Sequence, residues 1–296
     1  MTGTVVTVGT FDGVHRGHQA VLAEIVRRAR ARGLESLLVT FEPHPLEVVN
    51  PAAAPQLLSL PDEKREILAQ TELDRVAVVP FTRELAALTP EEFVRRILRA
   101  EYGMQELVLG YDHGFGRGRS GDVALVRRLG ASDGFAVDVV DAVRENGLPI
   151  SSTLIRTAVA HGDLAAAERW LGRRYSLLGV VERGVGRGRT IGIPTINLAP
   201  PDARKLLPPD GVYAVWVAWR GGRSGGMMNQ GSRPTFGDAT RGLEIHLFDF
   251  AGELYGETVK VEWVRRLRDV RTFPSREALV EQLEHDARAA RDCLNL

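Results

Sequence analysis

The chain has 296 residues, 44% of them apolar, with 38 basic side chains against 38 acidic ones and a formal net charge of +0. That length suits two domains, and the charge balance argues against a general nucleic-acid or anionic-membrane binder. A lone cysteine, Cys293, excludes an intrachain disulfide and a cysteine zinc cluster. No apolar run reaches the ~18 residues of a membrane span.

The N-terminus lacks the basic flank and apolar stretch of a signal peptide, so a soluble, cytoplasmic protein is expected. The first strand is expected at Val5–Val8, a β-branched apolar run that Gly9 ends. A helix is expected over Gln19–Arg32, because Val21, Leu22, Ile25, Val26 and Ala29 fall at a helical period. His15-Arg16-Gly17-His18 therefore sits where strand turns into helix. That place suits an anion, since unsatisfied backbone N–H groups and the positive end of the helix dipole converge there. His15 and His18, one turn apart, can face one phosphate, and Gly17 removes a side chain that would hold it off.

Further strands are expected at Ser36–Phe41, Asp74–Val79, Glu106–Leu109 and Ala136–Val140. Helices are expected at Asp62–Thr71, Pro90–Tyr102 and Asp122–Leu129. This alternation predicts a parallel sheet wrapped by helices. Ligands in such sheets bind beyond the carboxyl ends of the strands. The opening motif, Glu42-Pro43-His44-Pro45 and Gly110-Tyr111-Asp112 can then line one cleft. Lys64, Lys205 and Lys260 are the only lysines, and none follows a Gly-x-x-x-x-Gly, so there is no Walker P-loop. Gly116 to Gly121 fits Gly-x-Gly-x-x-Gly but stands too far from its strand for a dinucleotide fingerprint; a basic loop over a ligand is the better reading.

Ser151-Ser152-Thr153-Leu154-Ile155-Arg156 offers three hydroxyls and a forked guanidinium at a helix start, suited to a polyphosphate. A plain Ser cap with a surface Arg is the bland alternative. The polar and then helical stretch to Gly172 closes a first domain, 1–173.

From residue 174 the rhythm changes. Leu177–Glu182, Gly211–Trp219, Leu243–Phe248 and Thr258–Trp263 alternate apolar with polar, which predicts an antiparallel sheet or small barrel. A last helix runs from Ser275 to Arg291. In Gly184 to Asn197 the glycines allow close approach to a phosphate, and a glycine-rich hairpin turn fits the same residues. Thr195 and Asn197 alternate to one side and offer two neutral oxygens, suited to Mg²⁺ shared with nucleotide phosphates. Glu244 lies on a strand whose alternate residues are apolar. Such a Glu commonly faces solvent, but a half-buried one can serve as a general base.

Taken together the motifs resemble the bifunctional prokaryotic riboflavin kinase/FMN adenylyltransferase family over nearly the whole chain. Gly9-x-Phe11-Asp12-Gly13-Val14-His15-x-Gly17-His18 resembles its adenylyltransferase signature. Phe41 to Pro45 and Ile150 to Arg156 match two more of its motifs. Pro194-Thr195-x-Asn197, Arg233 to Phe236, Leu254 to Glu257 and Leu267-Arg268 are similar to its kinase half. The resemblance implies an α/β protein. A Rossmann-like parallel-sheet nucleotidyltransferase domain (1–173) would precede an antiparallel β-barrel riboflavin kinase domain with a terminal helix (174–296). It also implies roles. Gly9, Phe11, Asp12, Gly13, His15, His18, Ser152, Thr153 and Arg156 would bind ATP for adenylylation, with His15 and His18 stabilising charge at the α-phosphate. Gly184, Arg189, Thr195 and Asn197 would bind ATP in the kinase, Thr195 and Asn197 with Mg²⁺, and Glu244 would take the riboflavin proton. Pro43, His44, Asp112 and Arg268 would contact flavin. The partners implied are riboflavin, FMN and ATP, with no nucleic acid and no membrane; the oligomeric state is left open.

Overall fold

The computed structural model describes residues 3–111, 122–184, 192–232 and 241–296. The chain divides into two compact units, Met1–Ser152 and Thr153–Leu296.

In the first unit five strands pair in parallel: β1 (Thr4–Val8), β2 (Glu35–Glu42), β3 (Arg75–Pro80), β4 (Met104–Gly110) and β5 (Ala136–Val140). Their order is β3-β2-β1-β4-β5. The chain builds outward from β1 to β3, then returns to the far side of β1, so the winding reverses between β1 and β4. In open sheets that reversal opens a crevice at the carboxyl ends. The central strands are apolar on both faces because both are covered, whereas the outer β3 leaves Val76 and Val78 exposed. Val5, Leu38 and Val108 pack with Leu22 and Ile25 of α1 (Arg16–Arg32) and with Ile67 and Leu68 of a later helix. Val6, Leu37, Val39, Leu107 and Leu109 pack on the other face with Phe93, Leu98, Val126 and Leu129. Each such burial contributes roughly 1.5–3 kcal/mol.

α2 (Pro45–Val49) and α3 (Pro61–Leu68) follow β2, and α4 (Arg83–Ala87) follows β3. The helix expected at Pro90–Tyr102 is α5 (Pro90–Glu92) continuing into π-helical turns at Phe93–Arg99. α6 (Val123–Asp133) has Asp122 as its N-cap. A two-stranded hairpin, β6 (Arg144–Glu145) with β7 (Leu148–Pro149), precedes α7 (Ser152–Ala160).

The second unit contains α8 (Leu164–Leu171) and six strands: β8 (Ser176–Glu182), β9 (Ile196–Leu198), β10 (Gly211–Trp219), β11 (Gly222–Ser232), β12 (Arg241–Leu247) and β13 (Thr258–Arg268). They close a barrel in the order β10-β11-β12-β9-β8-β13, every pair antiparallel. Tyr213, Val215, Val217, Met228, Leu243, Ile245, Val261 and Trp263 are buried; strand alternation turns them to the interior. On the outer face α9 (Arg276–Leu294) sets Ala290 and Leu294 on Ala214, Met227 and Phe248.

β11 was not expected from the sequence. Its residues 222–232 hold four glycines, among them Gly225, where an added Cβ would lie 2.5 Å from the Leu296 side chain, and Gly226, where it would lie 2.5 Å from the His246 carbonyl oxygen. Close neighbours, not alternation, chose these residues.

Candidate active sites

The first site is built on the turn between β1 and α1. Gly9 closes β1 by donating to the Val39 carbonyl at 3.0 Å. Phe11, Gly13 and Val14 then take left-handed backbone conformations, with φ of 48°, 77° and 37°. Two of these are not glycine, and each such residue costs on the order of 1–3 kcal/mol unless its surroundings hold it. The holding groups are visible. Both oxygens of the buried Asp12 carboxylate accept backbone N–H bonds, from Leu58 at 3.0 Å and Ser59 at 2.9 Å. In return the Gly13 N–H donates to the Ser59 hydroxyl at 2.9 Å. Ser152, the first residue of α7, donates its hydroxyl to the Asp12 carbonyl at 3.0 Å. Asp12 and Ser152 thus brace the turn.

His15 caps α1. Its Nδ1 accepts from the His18 N–H at 3.3 Å, and the two imidazoles stack with centroids 3.6 Å apart. Phe11 lies against the His18 ring at 4.6 Å. Accepting at Nδ1 leaves the His15 ring proton on Nε2, so that nitrogen is a donor. Gly17 has a reason beyond the one read from sequence: an added Cβ would lie 3.1 Å from the His15 ring. Thr153 and Arg156 follow on α7, in the second compact unit.

Beyond β2 the Glu42–Pro43 bond is cis. His44 caps α2 through Nδ1, which accepts from Leu46 N–H at 3.2 Å, while the Glu47 carboxylate accepts from the His44 N–H at 3.2 Å. Asp112 lies outside the described residues, as does Gly116 to Gly121.

The second site is on the barrel. Register brings Asn229 of β11 opposite Glu244 of β12, Glu244 opposite Asn197 of β9, and Asn197 opposite Glu182 of β8. Four polar residues on four neighbouring strands therefore share one face. Asn197 is buried and Glu244 half-buried. Thr195 stands one residue before β9, and the preceding Pro194 carbonyl is 2.8 Å from Nδ1 of His246, next but one to Glu244. At Gly184 an added Cβ would come within 2.1 Å of the Asn197 amide nitrogen; the glycine lets backbone lie directly on that carboxamide. Arg189 and Arg233 to Phe236 lie outside the described residues.

Arg268, at the end of β13, makes a forked ion pair with Asp286 of α9 at 2.6–3.0 Å. The Asp286 side chain is buried and that of Arg268 is mostly so, at 4% and 11% exposure. Its Nη1 also donates to the Asp269 carbonyl at 2.9 Å, and Phe273 lies under the guanidinium. Gln230 is fully buried and donates through Nε2 to the Pro208 and Pro209 carbonyls at 2.6 and 3.2 Å. Neither Asn229, Ser59 nor Lys64 was singled out as a site residue from sequence. An asparagine in a glycine-rich run and a lysine on an acidic helix carry no local signal.

One chain thus joins a doubly wound sheet with a His-x-Gly-His helix start to an antiparallel barrel carrying an Asn-Glu-Asn row. Residues 1–154 match the family model of FAD synthetase, and residues 171–294 match that of riboflavin kinase. The chain is 41% identical to the bifunctional riboflavin kinase/FMN adenylyltransferase of Pseudomonas fluorescens, over 98% of this chain and 92% of that one. Against the Bacillus subtilis (strain 168) protein of the same name identity is 36%, over 97% and 91%. A crystal structure named as a macrolide-efflux protein from Streptococcus pneumoniae is similar with a TM-score of 0.88 and 32% identity, covering 98% of this chain and 95% of that one. The chain belongs to the bifunctional riboflavin kinase/FMN adenylyltransferase family. Among the described residues no helix is long and apolar enough to cross a membrane.

Proposed function

We infer that the barrel transfers the γ-phosphoryl of ATP to the 5′-hydroxyl of riboflavin, giving FMN and ADP. The parallel-sheet unit then joins FMN to the AMP part of ATP, giving FAD and pyrophosphate. The observation that carries the reading is the presence in one chain of two different phosphate-suited sites: stacked histidines at a helix start, and a carboxylate between two carboxamides.

The two chemistries need different groups. An alcohol is a weak nucleophile, so phosphorylation calls for a base. Glu244 takes the hydroxyl proton as the oxygen attacks the γ-phosphorus and ADP leaves. Asn197 and Thr195 supply neutral oxygens, a hard donor set that fits Mg²⁺ shared with ATP phosphates; when bound, the ion would neutralise phosphate charge. Gly184 keeps backbone close to Asn197 for the same purpose. In adenylylation the nucleophile is already a phosphate oxygen of FMN. It attacks the α-phosphorus, pyrophosphate leaves, and no strong base is required. Positioning and charge neutralisation then dominate. Those tasks fall to His15 Nε2, to His18, to the first N–H groups of α1, and to Thr153 and Arg156 on α7. Pro43, His44 and Asp112 are assigned to the flavin. Arg268, whose guanidinium is held by Asp286, is assigned to the flavin as well.

The catalytic division is placed near residue 174, two residues before β8. The compact units divide earlier, after Ser152, so α7 and α8 are counted with the barrel. The test is to supply riboflavin, ATP and Mg²⁺ and separate the flavins with time. FMN should appear first and FAD after it. Riboflavin retained but unchanged, or adenylyl transfer only to another phosphorylated acceptor such as phosphopantetheine, would overturn the reading.

A further inference from the structure

Lys64 is a charged residue with almost no access to water, 9% exposed, on the buried side of α3. Its ammonium donates to the Thr10 carbonyl and to the Thr40 hydroxyl, each at 3.2 Å. Thr40 in turn donates to the same Thr10 carbonyl at 3.1 Å. The three groups close a triangle beneath the residue that begins the left-handed turn. The Asp12 and Glu42 carboxylates stabilise the charge from the turn and from the end of β2, against burial and the neighbouring Arg65, and burial prevails in pushing the Lys64 ammonium below the usual lysine range.

An ammonium is expensive to bury and needs good partners. Where one serves stability alone, an apolar side chain of similar length often does as well or better. Here one partner, the Thr10 carbonyl, belongs to the adenylyltransferase turn, and the other, the Thr40 hydroxyl, ties that same carbonyl to β2. Residues 12 and 13 of that turn are braced from outside it by Leu58 and Ser59, just before α3, and by Ser152. A backbone held in left-handed conformations persists only where its surroundings over-determine it. Lys64 holds the first residue of that turn, and His15 and His18 follow its last, at the start of α1.

We propose that Lys64 is a positioning residue for adenylyl transfer, its buried ammonium fixing the Thr10–Val14 turn so that His15 and His18 meet the reacting phosphates in register. The proposal rests on the assignment of those histidines to FAD formation. It does not place Lys64 in contact with substrate.

The test compares Lys64→Met, Thr40→Val and His18→Ala in the full chain. Rates of FAD formation from FMN and ATP are divided by the folded fraction, taken from the amplitude of thermal unfolding. The riboflavin kinase rate of each preparation is the internal control. Lys64→Met should lower kcat for FAD formation about 10- to 100-fold, the scale of a misplacement of about 1 Å. Its KM for ATP should stay within about threefold, its kinase rate should be normal and its melting temperature should be close to the parent. Thr40→Val keeps shape but opens the triangle, so kcat should fall in the same direction by about three- to tenfold. If Lys64→Met does not fold, Thr40→Val decides alone by the same comparison. A loss of FAD formation in His18→Ala with unchanged kcat in the other two overturns the proposal and leaves the histidine assignment standing. Normal FAD formation in His18→Ala overturns the assignment and the proposal with it.

Discussion

His15 accepts the His18 N–H at Nδ1, which puts the ring proton on Nε2 and makes that nitrogen the donor in the role proposed for it. Loss of one preorganised donor to a developing charge typically costs ~10²–10³ in rate. His18→Ala is therefore expected to slow FMN adenylylation by that factor while riboflavin phosphorylation continues, so FMN accumulates; product ratios after a fixed time check it. Glu244→Gln is the complementary change. It keeps size and most hydrogen bonding between Asn197 and Asn229 but removes the basic oxygen. Single-turnover FMN formation should fall by ~10²–10⁴, while supplied FMN still becomes FAD at the parental rate. A variant within about threefold of the parent, less than a general base contributes, would move the base elsewhere.

At the scale of elements, two ion-pair arrangements hold helices to sheets. On α1, Glu24 binds Arg27 and Arg28, and Arg28 reaches the buried Glu106 of β4. The hydrogen bond from Arg27, aided by Arg28, pulls the Glu24 carboxyl down from 4.5 to about 2 against its partial burial. A carboxyl depressed on folding stabilises above its unfolded pKa, and that stability is lost as pH falls through the folded value. Glu24→Gln should thus lower stability near pH 7 by about 1 kcal/mol, a value suited to a partly exposed pair. The difference from the parent should shrink between about pH 4.5 and 2, as urea unfolding at several pH values would record. On the barrel, the Arg268–Asp286 pair ties β13 to α9. Asp286→Ala leaves a buried guanidinium without its carboxylate, a change that costs about 3–5 kcal/mol. The denaturant midpoint should drop markedly, and the kinase rate should fall only as α9 detaches.

At the scale of the whole chain, sequence rhythm and compactness divide the molecule differently. The alternation of the barrel begins at Leu177, whereas the second compact unit begins at Thr153. The reason lies in packing. Tyr175 stacks on the buried Trp263 with centroids 5.6 Å apart, and Trp263 N–H donates to the Tyr175 carbonyl at 3.0 Å. Arg174, just before it, lies within 4 Å of both Glu168 on α8 and Glu262 on β13. A fragment of residues 174–296 is expected to phosphorylate riboflavin, and a fragment of residues 153–296 to do so with a clearly higher melting temperature. Equal melting temperatures would show that α7 and α8 contribute nothing to the barrel.

Much of this was legible in the residues themselves. Apolar runs located the five parallel strands, the central ones buried on both faces and so apolar throughout, and periodicity located α1, since a covered helix must carry its stripe. The histidine turn and Thr195-x-Asn197 were visible because each is a local pattern. What the sequence by itself determined, then, was the two architectures and the residue types able to do phosphate chemistry. The tertiary structure decided which of them meet. β11 was hidden because its glycines answer to the adjacent strand β12 and to the C-terminal residues Leu294 and Leu296. Asn229 joined Glu244 only through register, which is a pairing between distant segments. Lys64 carries no local mark in the sequence; the fold closes Thr10 and Thr40 around it. Local patterns follow from backbone geometry within a few residues, but burial and hydrogen-bond partners are properties of segments that are far apart in the chain.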